Sequence, residues 1–243
     1  MVPGGRPAGI DRPAGPGMRV GAPVERRRGS YLVNTSTIDE GSISAVRTIV
    51  VVEGVTDQLA LTLAARRSGR DLDTEGVSVV PIHGAHAIGR FLRHLAAEEP
   101  GARLAGLYDK GEEEVIRAAL ERAGYGPHLD RNQLEGIGFF ACIADLEDEL
   151  IRAAGTTNLS RLIELQGDAQ PWRTFRSQHA WHGRPVDQQF RRFIRSVSER
   201  NGRYIRAIVE TIEPSRLPRP LRLLLDYVEP GRGPTQQLPK RAD

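Results

Sequence analysis

From residue 47 to about residue 154, short apolar runs alternate with stretches of helical periodicity. Such alternation is the signature of a parallel sheet joined by crossover helices. Residues 48–52 (TIVVV) read as a strand buried on both faces, because apolar side chains fill every position rather than every second one. Residues 57–67 follow as a helix carrying Leu59, Leu61, Leu63 and several alanines. The pattern then predicts a strand over 77–82 and a helix over 86–97. A third, weaker strand over 104–108 precedes a helix over 112–123, and a fourth over 137–143 (IGFFACI) precedes a helix over 145–154. Four β-α units predict an α/β fold, a four-stranded parallel, doubly wound, Rossmann-like sheet over 46–154.

After Gly155 the strands vanish. Segments 159–165, 188–199, 204–212 and 221–228 keep helical spacing and are separated by Pro171, Pro185, Pro214, Pro218 and Pro220. A C-terminal helical appendage is therefore expected over 155–229. Residues 1–45 are rich in Gly, Pro and Arg and cannot bury enough apolar surface to offset ordering entropy. They are expected to form a disordered arm, and 230–243 a flexible tail.

Composition narrows the chemistry. The 243 residues are 39% hydrophobic and 27% charged, which suits a soluble α/β protein. Cys142 is the sole cysteine, so an intrachain disulfide and a multi-cysteine zinc site are excluded. No stretch approaches the roughly 18 apolar residues of a membrane span, and the N-terminus lacks a signal-peptide core, so a cytoplasmic location is expected. The net charge of +3 hides a division of about +2 over 1–45, −6 over 46–154 and +7 over 155–243. An acidic middle beside a basic third suggests a metal site next to a polyanion-binding surface; two solvated faces would give the same totals. The basic residues are nearly all arginine, Lys110 and Lys240 being the lysines. Arginine is the better bidentate partner for phosphate.

The acids fall at strand ends. In a parallel sheet, residues just past the carboxyl ends gather along one edge, where ligands bind. Glu53 follows the first strand, Asp109 closes the third, and Asp145 and Glu147 follow the fourth; Asp57 lies four residues beyond Glu53 and can face back from the first helical turn. Asp148 and Glu149 extend the cluster in sequence. Adjacent strands are about 4.8 Å apart, so their terminal carboxylates can share a cation or hold two. Oxygen ligands without clustered His or Cys favour Mg²⁺ or Mn²⁺ over zinc. Acids at helix N-termini also serve as caps, which is the competing account of each one taken singly.

Other chemistries are poorly supplied. The chain has no G-x-x-x-x-G-K-[ST] loop, no G-x-G-x-x-G after the first strand and no G-x-S-x-G elbow. His83 and His86 in PIHGAH read as turn residues, and His179 and His182, flanking Trp181, as surface or packing groups.

The run VVVEGVTDQLAL around Glu53 and Asp57, followed by LAGLYDKGEE around Asp109, resembles the TOPRIM domain of topoisomerases, primases and related nucleases. The likeness is greatest to the OLD (overcoming lysogenization defect) nucleases, whose first motif extends to an acid four residues on and whose later acidic motif resembles ADLEDEL. It covers about residues 46–154, with weaker likeness over 175–193 (FRSQHAWHGRPVDQQFRRF). The resemblance implies a TOPRIM sheet whose acids hold divalent metal for phosphodiester cleavage or nucleotidyl transfer. Two positions depart from the family. Gly111 stands where the second aspartate of Asp-x-Asp is expected, so one metal position must draw on Asp145 and Glu147 or be lost. The family's lysine after the TOPRIM core has no counterpart between Lys110 and Lys240; Arg200 or Arg203 would supply charge there, but arginine does not readily donate a proton. OLD proteins also carry an ATPase domain ahead of TOPRIM, and this chain has room only for the TOPRIM half. An ATPase partner would then be a separate subunit.

The resulting expectation is a DNA endonuclease or nickase in which Glu53, Asp57, Asp109, Asp145 and Glu147 bind one or two Mg²⁺ or Mn²⁺ ions. Glu53 and Asp109 are the catalytic pair, and Arg191, Arg192, Arg195, Arg200, Arg203 and Arg206 hold the nucleic-acid backbone. The alternatives are a catalytically weakened TOPRIM module that binds metal and nucleic acid or an ATPase partner, and a phosphotransfer enzyme acting on a small phosphorylated molecule.

Overall fold

The computed structural model describes residues 47–99 and 101–231; the expected arm over 1–45 and most of the tail lie outside the described residues. The chain runs β1 (Thr48–Val52), α1 (Val55–Arg67), β2 (Val77–Pro81), α2 (Ile88–Glu98), β3 (Arg103–Asp109), α3 (Glu113–Arg122), α4 (Arg131–Gly136), β4 (Phe139–Cys142) and α5 (Leu146–Leu165). It continues through α6 (Ala169–Arg176), α7 (Val186–Arg195), α8 (Ser198–Thr211) and α9 (Arg219–Tyr227). The four strands are all parallel, in the order β2-β1-β3-β4.

Every β1 side chain is buried, because helices cover both faces of the sheet. Alternation along the strand sorts the side chains. Ile49 and Val51 join Leu104, Tyr108 and Phe139 beneath α2, α3 and α4. Val50 and Val52 join Ala105, Leu107 and Phe140 beneath α1, α5, α7, α8 and α9. The helices after Gly155 thus share one core with α1 and the sheet.

Arginines from the first half secure these later helices. Arg67 donates to the carbonyls of Val209 and Ile212 at the C-terminal end of α8, at 2.5 and 2.6 Å. Arg70 donates to Leu225 O in α9 at 2.6 Å and pairs with Glu75. A cation at a helix C-terminus satisfies free carbonyls and the negative end of the dipole.

Some boundaries differ from the sequence pattern. α4 was not expected; Asp130 caps it by accepting from Gln133 N, and Gln133 Oε1 accepts from Asp130 N in return, a capping box legible as D-x-x-Q. It shortens the predicted strand to 139–142. Pro171, read as a separator, lies in the first turn of α6, where a missing N–H costs nothing. The predicted helix over 188–199 is interrupted after Arg195, where Val197 adopts extended geometry ahead of α8. α5 runs past Gly155, which is left-handed at φ 73° and kinks it.

Candidate metal centre

Because β1, β3 and β4 are consecutive in space, their carboxyl ends bring Glu53, Asp109 and Asp145 to one rim. A cleft of about 400 Å³ opens there, lined by Glu53, Asp57, Asp109, Asp145 and Glu147 together with His83 and Arg195. All five acids expected from the sequence share this cleft.

Three of them lie together on the sheet side. Asp57 Oδ2 accepts from Gly54 N at 2.9 Å, so one of its oxygens closes the first turn of α1. Burial, then the nearby charges of Glu53, Glu147 and Asp145, push the Asp57 carboxyl up to about 6 despite that hydrogen bond. Burial, then the charges of Glu53, Asp145 and Asp57, push Asp109 up to about 7. Carboxylates crowded in this way favour either a retained proton or a cation.

The other two are already engaged. Asp145 caps α5, its Oδ1 accepting from Asp148 N at 2.8 Å, while its Oδ2 meets Arg191 and Arg195 of α7. Glu147 is buried; its Oε1 accepts from Asn201 Nδ2 at 2.7 Å, and its Oε2 lies 3.3 Å from Arg195 Nε without a hydrogen bond. Asp148 and Glu149 turn to Arg152, and Glu149 also accepts from Ile143 N. Asn201 carried no sequence signal, since its partner is 54 positions away.

The other arginines have different surroundings. Arg203 and Arg200 face Asp168, at 2.5 and 3.6 Å, and Arg200 also stacks over Phe193. Neither lines the cleft. Arg206 faces Glu210 at 3.7 Å, and Arg192 is exposed. His83 is more involved than its turn context suggested. Its backbone is left-handed at φ 58°, and the next N–H, of Gly84, donates to Glu53 O at 3.3 Å, binding this turn to the end of β1. Cys142 is buried and its thiol is pushed up, by burial first and then by Glu149 and Asp109, which suppresses the nucleophilic thiolate.

The donor set fits a hard divalent cation in kind, being entirely oxygen. Among the described residues, no group of three His, Cys, Asp or Glu side chains is placed so that it could hold a metal ion as it stands, and two of the five acids face arginines.

Residues 46–109 match the family model of the overcoming lysogenization defect protein-like TOPRIM domain. This OLD-like TOPRIM stretch contains Glu53, Asp57 and Asp109 and ends before Asp145. The fold is similar to that of the C-terminal region of the Xanthomonas campestris pv. campestris OLD protein, with TM-score 0.58 and 19% identity over 76% of this chain and 96% of that one. It is also similar to the C-terminal region of the Burkholderia pseudomallei OLD protein, with TM-score 0.56 and 19% identity over 76% and 97%. No curated protein matches the chain. At this identity the likeness establishes the fold, an OLD-like TOPRIM sheet with its following helices. Among the described residues no helix is long and apolar enough to cross a membrane.

Proposed function

We propose that the chain is a metal-dependent phosphodiesterase acting on nucleic acid, a DNA endonuclease or nickase in kind. The observation that carries this reading is the meeting of five carboxylates in one open cleft, carried at or just past the ends of β1, β3 and β4 or in the first turn of α1 and α5, with Arg195 also lining it. Glu53, Asp57 and Asp109 would hold Mg²⁺ or Mn²⁺, with Asp145 and Glu147 completing the donor set. A bound ion would supply a water of lowered pKa and neutralise charge on the scissile phosphate. Glu53 and Asp109, which both line the cleft, would be the catalytic pair. Arg195 offers a guanidinium to a phosphate entering the cleft, and Arg192 and Arg206 provide exposed charge for the backbone.

A second reading has its own support. Asp145 is occupied by two arginines, and Gly111 supplies no carboxylate, so the chain would be a weakened module that binds metal and nucleic acid or an ATPase partner. A plasmid-nicking assay with Mg²⁺ or Mn²⁺ separates the two. Nicking abolished by both Glu53→Gln and Asp109→Asn supports the enzyme; DNA binding without nicking supports the module.

A further inference from the structure

The turn that follows β2 leads from the acid cleft into α2. His83 and Gly84 line the cleft, and Gly84 N donates to Glu53 O at 3.3 Å, which ties the turn to the end of β1. From His83 to Ala97 the sequence carries two arginines and three histidines and no carboxylate. α2 buries Ile88, Phe91, Leu92 and Leu95 against the sheet. At about 3.6 residues per turn, His86, Arg90 and Arg93 then share the outward side. All three are exposed, as is His94 beside them.

Arg90 and Arg93 form no ion pair or hydrogen bond among the described residues. Gly89 lies on the same side of the helix, and a Cβ built there meets the Arg93 guanidinium at 4.0 Å and nothing nearer. Nothing therefore covers the row. The arginines of the helical half are in another condition. Arg191 and Arg195 face Asp145, Arg200 and Arg203 face Asp168, and Arg206 faces Glu210. A guanidinium held by a carboxylate must give up that partner before it takes a phosphate. A free cation beside a polyanion releases condensed counterions and adds affinity outright. His86, Arg90 and Arg93 span about 11 Å of helix axis, the length over which one nucleic-acid strand presents roughly three charges at about 3.4 Å each.

We propose that the outward face of α2 is the track along which a nucleic-acid backbone reaches the acid cleft. Arg90 and Arg93 take neighbouring phosphates, His86 donates to the next, and His83 stands where the strand enters among the carboxylates. Contacts of this kind position the strand without reading its sequence. The inference rests on the nucleic-acid reading above for its class of ligand. It adds α2 to the charge that Arg192 and Arg206 supply and makes α2 the larger share.

The full chain, in EDTA, is titrated with a labelled mixed-sequence DNA duplex, and anisotropy is followed between about 50 and about 200 mM salt. Arg90→Gln with Arg93→Gln, both surface changes, should weaken binding about tenfold or more and reduce the slope of log K against log salt by about 2, one for each phosphate contact removed. Arg122→Gln should change neither, because Arg122 ends α3 at the edge of the sheet away from the cleft. Gly89→Cys, labelled with a photo-crosslinker, should join to the DNA, the native thiol of Cys142 being buried. An unchanged slope in the double variant, or no crosslink from position 89, overturns the track. Plasmid nicking distinguishes the two readings. Nicking with an unchanged slope overturns the track alone, whereas binding that depends on Arg90 and Arg93 in a chain unable to nick under any metal supports the track and overturns the nuclease. A chain that binds no DNA at the lower salt overturns both.

Discussion

Arg191 on α7 donates to Asp145, the N-cap of α5, across 46 positions of sequence, and Arg195 reaches the same oxygen at 3.3 Å. The helical half of the chain thereby supplies positive charge to an acid at the rim of the sheet. A divalent cation bound as proposed would compete with these guanidinium groups for one carboxylate.

Arg191→Gln should therefore tighten Mn²⁺ binding several-fold, read by calorimetry, while lowering stability by about 1 kcal/mol through loss of a partly exposed pair. Weaker Mn²⁺ binding would show instead that the arginine positions Asp145 for the ion.

The raised carboxyls give the protein a pH signature. Asp57 and Asp109 titrate at about 6 and about 7 in the folded chain, above the unfolded value of roughly 3.9. The native state thus binds protons more tightly, so the stabilisation is complete below about pH 4 and is lost as pH rises through these folded values. In EDTA, stability measured by urea should fall by on the order of 1–2 kcal/mol over that window, allowing for screening at half-exposed Asp109. Asp109→Asn should flatten the profile, and Mg²⁺ at neutral pH should restore the loss.

Gly111 can be changed without crowding. A Cβ there meets no atom within 4 Å, and its backbone is outside the left-handed region. Gly111→Asp should fold normally, raise the thermal shift produced by Mn²⁺ and increase nicking several-fold. An unchanged metal response would place this position too far from the ions to serve them.

Gly138 is a different case. It is left-handed at φ 90°, and the Tyr227 ring of α9 occupies the space a Cβ would need. Gly138→Ala should lower unfolding stability by about 2–4 kcal/mol, combining backbone strain with overpacking. A loss below about 0.5 kcal/mol would mean that α9 shifts freely on the sheet.

The sheet and the acids at its edge were legible because their signals are local. TIVVV spells a strand buried on both faces, and Glu53, Asp109 and Asp145 each follow an apolar run directly. α4 was equally local, but its sign is a capping pair rather than a hydrophobic period. The surroundings of Arg200 and Arg203 were not legible. Their attachment to Asp168, also reached by the Tyr204 hydroxyl at 3.0 Å, depends on how α8 lies beside the start of α6.

By itself the sequence determined the parallel α/β core and the edge that collects carboxylates, since hydrophobic period and residue type act over a few neighbouring positions. Tertiary structure decided which charges meet. Asp145 and Glu147 face Arg191, Arg195 and Asn201, because helix packing sets the distance between groups that the chain keeps dozens of residues apart.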